Sequence, residues 1–306
     1  MPVSRIDGVS AILNCLLIVL AFLALFQLDA FSAADADTIP PQAEVSTASQ
    51  FDGPDDCASL SVLPADISDY IEIAQSCYLG EDSGLQSQDG DVLVMFQRLN
   101  EVRIRNGLPP LLWHDGAAEV ARLHGSDMIV RNYFAHRTPE GLSNVDRMKR
   151  LDRDEVFGVS GENLALYGDG WPPTYSDLTL QIQLEKSPSH FEAMVNPEYT
   201  HVGLSIVRRN NTYVAVQVFL SSVGQLDEDW PAELSSGDAF LLPMQIGERN
   251  VGGWRLEADD GRVISKAYDL FVEVPESTED HLNLIILGEE SRNSFLLLNG
   301  PSADLE

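Results

Sequence analysis

Imidazoles, thiols and carboxylates are where this chain could do chemistry, and their spacing limits which chemistry. Three cysteines, Cys15, Cys57 and Cys77, are too few for a disulfide-dense scaffold or for a zinc site of four thiolates. Ser187 and Ser189 stand near His190, but no GxSxG turn and no ordered acid–histidine–serine series accompanies them. His136 and His190 are 54 positions apart, which by spacing alone is a poor metal signal. His124 shares one helical face with Ala117, Ala121 and Met128 and reads as a packed core histidine. A site made from such scattered residues has to be assembled by the fold.

Periodicity outlines the elements that would do so. Val92, Met95, Leu99 and Val102 recur at helical spacing, which predicts a helix capped by Asp91, running to about Asn106 and stopped by Gly107. Pro109 and Pro110 force an extended link into Leu111, Leu112 and Trp113. A second helix fits residues 115–132. After His136 comes a polar loop with Gly141, Asn144 and Arg147, and then a short apolar run behind Gly161-Glu162-Asn163. A helix from about Ser176 leads into Ser187-Pro188-Ser189-His190. Residues 201–208 and 212–220 alternate as strands across a tight Asn210-Asn211 turn. Past Gln225, short apolar runs such as 270–274 and 282–287, with a turn at Asp259-Asp260-Gly261, predict a small antiparallel β domain.

Charge divides the chain in the same places. Acidic residues number 48 and basic residues 19, a net charge of −29, which excludes a nucleic-acid binder and a basic helix on an anionic membrane. At 44% hydrophobic the 306 residues can still build a core. Residues 35–88 carry 11 acidic groups and no basic one, residues 89–222 are nearly balanced, and residues 223–306 are strongly acidic again. At the start, Arg5, an apolar run over 11–26 and the small residues Ser32, Ala33 and Ala34 make a secretory leader cleaved after Ala34. The alternative is an uncleaved membrane anchor, because residues 9–28 are just long enough to span. Either places the protein outside the cell or on its surface. In that oxidising setting Cys57 and Cys77 are the pair left in the mature chain and are expected to form a disulfide. The expected division is a leader (1–34), a disordered acidic linker (35–56), a small stapled lobe (57–88), a central domain (89–222) and an acidic β-rich domain (223–306).

The order of motifs in the central part resembles the CAP superfamily, also called SCP domains: cysteine-rich secretory proteins, venom antigens, plant pathogenesis-related proteins and exported bacterial proteins. The resemblance rests on Leu99-Asn100 with Arg103 and Arg105, Gly107-Leu108, Leu112-Trp113, and His124 with Asp127-Met128. It continues through Phe134 with His136, Gly161-Glu162-Asn163-Leu164, Ser187-Pro188-Ser189-His190, Asn196-Pro197 with Tyr199, Val202-Gly203, and Gln217 with Phe219. It implies an α+β fold, a three-layer α-β-α sandwich, to which the tail adds the small antiparallel β domain. It also implies a cleft of two histidines and two glutamates, which binds a divalent metal in several members. His136, Glu162 and His190 match three of the four, and Glu185 is the nearest carboxylate for the other. His136 and His190 would then be ligands for Zn²⁺ or another divalent cation. Ala135, Ser189 and Leu184 replace a serine, a glycine and a tryptophan common in the family.

The resulting expectation is an exported protein whose His/Glu cleft binds an extracellular ligand, a lipid or a divalent metal, with no established catalysis and no required cofactor. Two alternatives stay open: a metal-assisted hydrolase of peptide or cell-wall bonds, and a surface protein that engages a protein or glycan through its β domain. For the cleft itself the plain alternative is architectural, with Glu162 accepting hydrogen bonds from backbone amides and from His190.

Overall fold

A computed structural model describes residues 62–79, 85–168, 174–291 and 294–306; the leader, the acidic linker and Cys57 lie outside the described residues. Among the described residues no helix is long and apolar enough to cross a membrane. The helices are α1 (Ile67–Ile73, continued by a π-helical turn Ala74–Leu79), α2 (Asp89–Arg105), α3 (Asp115–Val130), α4 (Asn144–Leu151), α5 (Thr179–Glu185) and α6 (Pro188–Met194).

Local chemistry explains most boundaries and corrects two. Asp91 does not cap α2, which starts earlier behind Gln88; its carboxylate instead accepts the Tyr175 hydroxyl at 2.7 Å. The next helix is capped by an imidazole, with His114 Nδ1 accepting the Ala117 amide at 3.1 Å, the task usually given to Ser, Asp or Asn. Ser143 and Asp146 form a reciprocal capping box at the start of α4. The helix expected from about Ser176 begins at Thr179, and α6 follows with Pro188 in its first turn, where a missing amide proton costs no helical bond.

The strands are β1 (Gln86–Ser87), β2 (Leu112–Trp113), β3 (Glu155–Tyr167), β4 (His201–Arg209), β5 (Thr212–Gln225), β6 (Glu233–Leu234), β7 (Ala239–Leu241), β8 (Gln245–Ile246), β9 (Arg249–Glu257), β10 (Val263–Ala267), β11 (Phe271–Glu273), β12 (His281–Ser291) and β13 (Ser294–Leu305). All but β7 and β11 belong to one sheet, whose spine runs β1-β4-β5-β3-β13-β12-β9-β10. Asn210, at φ 57°, makes the tight turn between β4 and β5.

Three layers follow from the period-two alternation of β5. Ala215 and Phe219 face α2, α5 and α6, packing with Met95, Leu99, Leu180, Leu184 and Met194. Val214, Val216 and Val218 face α3 and α4, packing with Ala117, Val120, Ala121, Met128 and Met148. Gly203 lets α3 lie directly on β4, because a Cβ there would stand 2.1 Å from the Ala118 amide nitrogen. Arg103, fully buried, ties the α2 layer together by donating to the carbonyls of Pro109, Met194, Asn196 and Tyr199.

The C-terminal strands have their own core, with Trp230, Trp254, Leu256, Leu284 and Ile286 at its centre, but not their own sheet. β13 joins β3 with Asn299 opposite Phe157, and the Asn299 amide donates to the Gly158 carbonyl at 2.8 Å. Gly261, at φ 79°, sits in the expected turn between β9 and β10. The N-terminal lobe packs Tyr70, Ile73, Cys77 and Tyr78 on Leu123 of α3.

Candidate functional site

Two consecutive residues of β3 hold the segments that carry the expected site residues, one on each face of the sheet. Because neighbours on a strand point to opposite faces, Glu162 reaches the α3/α4 layer and Asn163 the α5/α6 layer. Gly161 is required beside them, since a Cβ there would meet the Tyr199 hydroxyl at 2.2 Å, and Tyr199 is fixed by stacking on Phe219.

On its face, Glu162 is the hub. Its side chain is 3% exposed, Oε1 lies 2.9 Å from His136 Nδ1, and Oε2 accepts Arg147 Nη2. Burial opposes its ionisation, but the hydrogen bond to His136 and the charge of Arg147 outweigh that and hold the carboxyl below the usual carboxylate range. An ionised carboxylate only accepts, so His136 donates from Nδ1, and in the neutral ring Nε2 then carries the lone pair. The His136 side chain is 60% exposed, so the ring is open to a ligand.

Arg147 is fully buried and also donates to the carbonyls of His136 and Leu142, fixing the loop that carries His136. His124 is buried as expected but is not a remote core residue. Its Nε2 donates to the Ala135 carbonyl at 2.9 Å and lies 4.0 Å from Glu162 Oε1. Burial first, then the Arg147 charge, pushes its pKa down to about 3, so it is neutral at ordinary pH.

On the other face, Asn163 Nδ2 donates to the His190 carbonyl at 3.0 Å and to Gln217 at 3.1 Å. Gln217 in turn donates to Gln181 at 2.9 Å, and Gln181 to Glu185 at 3.1 Å. Glu185 therefore does not join the imidazoles; Arg98 grips both its oxygens, at 2.8 and 2.9 Å. The partners expected for an architectural Glu162 also change, because Asn163 rather than Glu162 holds His190. The His190 ring is half-buried, and burial followed by the nearby His136 lowers its pKa.

A resident divalent cation does not fit this donor set. Both Glu162 oxygens are engaged, and a buried guanidinium already neutralises the carboxylate that would attract the metal. Among the described residues no group of three or more His, Cys, Asp and Glu is arranged to hold an ion. What the arrangement can do is accept a hydrogen bond, or a proton, from a ligand at His136 Nε2. Arg147 was the residue least visible beforehand: it stood in an expected loop, and only the helix behind Ser143 turns it inward.

Residues 96–219 match the cysteine-rich secretory protein (CAP) family. The chain is 36% identical over 114 residues to the uncharacterized membrane protein YlbC of Bacillus subtilis (strain 168), covering 37% of this chain and 30% of that one. It is 30% identical over 118 residues to the uncharacterized protein YkwD of the same organism, covering 37% and 41%. The match thus spans well under half of either relative. Among solved structures, an extracellular SCP-domain protein from Bacillus anthracis str. Ames is 28% identical, with TM-score 0.36, over 43% of this chain and 40% of that one. An outer surface protein of Borrelia burgdorferi is 20% identical, with TM-score 0.39, over 44% of this chain and 96% of that one. The match to the cysteine-rich secretory protein (CAP) family thus falls on residues 96–219, the stretch that holds most of the three-layer sandwich, and leaves the flanks on both sides uncovered.

Proposed function

We propose that the protein is exported, or anchored on the outer face of a membrane, and binds an extracellular ligand through the His136–Glu162–His190 cleft without transforming it. The observation that carries this reading is the exposed His136 ring clamped by a buried carboxylate–guanidinium pair. An imidazole fixed in one tautomer loses little freedom when it accepts a ligand's hydroxyl proton, which favours recognition of a hydroxyl-bearing molecule. Ser187 and Ser189, the hydroxyls nearest His190 in the chain, lie 3.4 Å from each other. The Cys57–Cys77 bridge belongs to the same reading, with the buried Cys77 as its described end.

A sterol and its O-acetyl ester test the cleft. The wild-type protein should bind the sterol, the ester at least tenfold more weakly, and the double variant His136→Ala, His190→Ala should bind neither while its circular dichroism is unchanged. Equal affinity for alcohol and ester would remove the cleft from the reading, and turnover of peptide or cell-wall bonds that needs His136 would replace binding by hydrolysis.

A second reading has its own observation. A groove of about 760 Å³ lies between α2 and α3, with an apolar wall of Val92, Leu93, Phe96, Trp113 and Leu204 and a charged rim that includes Asp89, Asp115, Glu119 and Arg122. Its lining suits a lipid chain held without help from the histidines. Binding of a fatty acid that survives the double histidine variant but is lost in Leu93→Glu would favour the groove.

A further inference from the structure

A second polar cavity, of about 650 Å³, lies where the sandwich meets the C-terminal strands. The first turn of α3, the end of α4 and the first residues of β3 and β4 line it, and Gln225 and Asp229 complete it. The last two lie beyond the family match, so this site is not built by the shared domain alone.

Its charge is one-sided. Asp115, Glu119, Asp152, Asp154, Glu155 and Asp229 all line it. The one arginine there, Arg153, spends its guanidinium on the carbonyls of Lys149, Arg150, Trp230, Pro231 and Ser302. The imidazoles are His114 and His201, whose ring centroids are 5.8 Å apart. With Nδ1 used on the Ala117 amide, the His114 ring offers its proton from Nε2, 3.1 Å from Glu155 Oε2.

The other oxygen of that carboxylate is the telling atom. Glu155 is 2% exposed, and its Oε1 is buried without a hydrogen-bond partner. Such an oxygen costs about 1–3 kcal/mol unless a donor arrives. Asp152 stands beside it, its Oδ2 3.9 Å from His114 Nδ1. Burial first, with Glu155 and Asp154 adding to it, pushes the Asp152 carboxyl up to about 7 despite His114.

We propose that this cavity binds an organic cation bearing N–H donors, a primary ammonium or a guanidinium group, with Glu155 Oε1 and the Asp152 carboxylate as its acceptors. The N–H requirement comes from the orphaned oxygen, which a bare positive charge would leave unsatisfied. The proposal is independent of the His136 cleft, and the cavity shares Trp113, Asp115 and Glu119 with the groove between α2 and α3.

Calorimetric titration of the full chain with n-butylammonium, methylguanidinium and N-acetyl-lysine amide tests it, with tetramethylammonium as the cation that has no N–H. Saturable binding is expected, at least tenfold weaker for tetramethylammonium and at least tenfold weaker in Glu155→Gln. If Glu155→Gln does not fold, Asp229→Asn, an exposed substitution at the rim, should still weaken binding about threefold. Binding of the lysine amide alone would identify a peptide side chain as the source, and binding of all three probes a free amine; both support the proposal. No saturable binding, equal affinity for tetramethylammonium, unchanged affinity in the variant that folds, or displacement of the amines by stoichiometric Ca²⁺ or Zn²⁺ would overturn it.

Discussion

Replacing Glu162 by glutamine removes a charge and keeps the shape. In the wild type the carboxylate, 3% exposed, holds the fully buried Arg147 on one oxygen and His136 on the other. Glutamine offers one acceptor and one NH₂ group, so a donor is turned either on Arg147 or on the Nδ1 proton of His136. Arg147 keeps its bonds to the carbonyls of His136 and Leu142, but its Nε already has no partner and its charge would be uncompensated. Breaking a buried pair from one side costs about 3–5 kcal/mol. For a domain of this size, each kcal/mol moves the melting temperature about 2–4 °C, so Glu162→Gln should melt roughly 10 °C lower. His136→Ala removes a largely exposed ring and should cost less than about 1 kcal/mol. Urea unfolding followed by circular dichroism measures both. Arg147→Met in the Glu162→Gln background should recover part of the loss, since the buried charge is then gone. A Glu162→Gln protein within about 1 kcal/mol of wild type, or no recovery in the double variant, would show that the pair does not organise this face.

Other consequences are as direct. The unfolded His124 takes a proton near pH 6.5 and the folded one only near 3, so the unfolded chain binds more protons between those values and stability should fall as pH drops through that window, by up to about 1.4 kcal/mol per unit; urea midpoints against pH should show the slope, and His124→Gln should remove it. Gly161→Ala should cost about 1–3 kcal/mol through its clash with the Tyr199 hydroxyl, and Tyr199→Phe should restore much of the loss, both read by thermal unfolding. Intact mass before and after reduction should reveal the Cys57–Cys77 bridge, whose loss should cost about 3 kcal/mol; two free thiols in protein recovered from outside the cell would contradict it.

How far the sequence carried can be seen residue by residue. Helical periodicity located α2 and α3 because their apolar faces are built from adjacent turns, a local property. Motif order singled out His136, Glu162 and His190, but it did not show why Glu and Asn must be neighbours. The reason is the alternation of β3, which sends one to Arg147 and the other to the His190 carbonyl. Asp91 and Glu185 misled because a carboxylate's nearest partner in sequence is not its partner in space: Tyr175 and Arg98 claim them across 84 and 87 positions. His124 was legible as buried but not as Glu162's neighbour, since helix periodicity gives a face and not what lies against it. The apolar runs after Gln225 gave strands, whereas the docking of β13 on β3 is a long-range choice between sheet edges that alternation does not encode.

The claim on which the proposed function rests is that Glu162 fixes His136 with its proton on Nδ1 and presents Nε2 to a ligand. Long-range ¹H–¹⁵N correlation of the histidine rings in ¹⁵N-labelled protein tests this directly, with His136→Ala supplying the assignment. The expected spectrum has the His136 ring as the Nδ1–H tautomer, losing that preference in Glu162→Gln, and its Nε2 resonance moving when a hydroxyl-bearing ligand binds. An Nε2–H tautomer in the wild type, or a His136 ring indifferent to the loss of the Glu162 charge, would contradict the account.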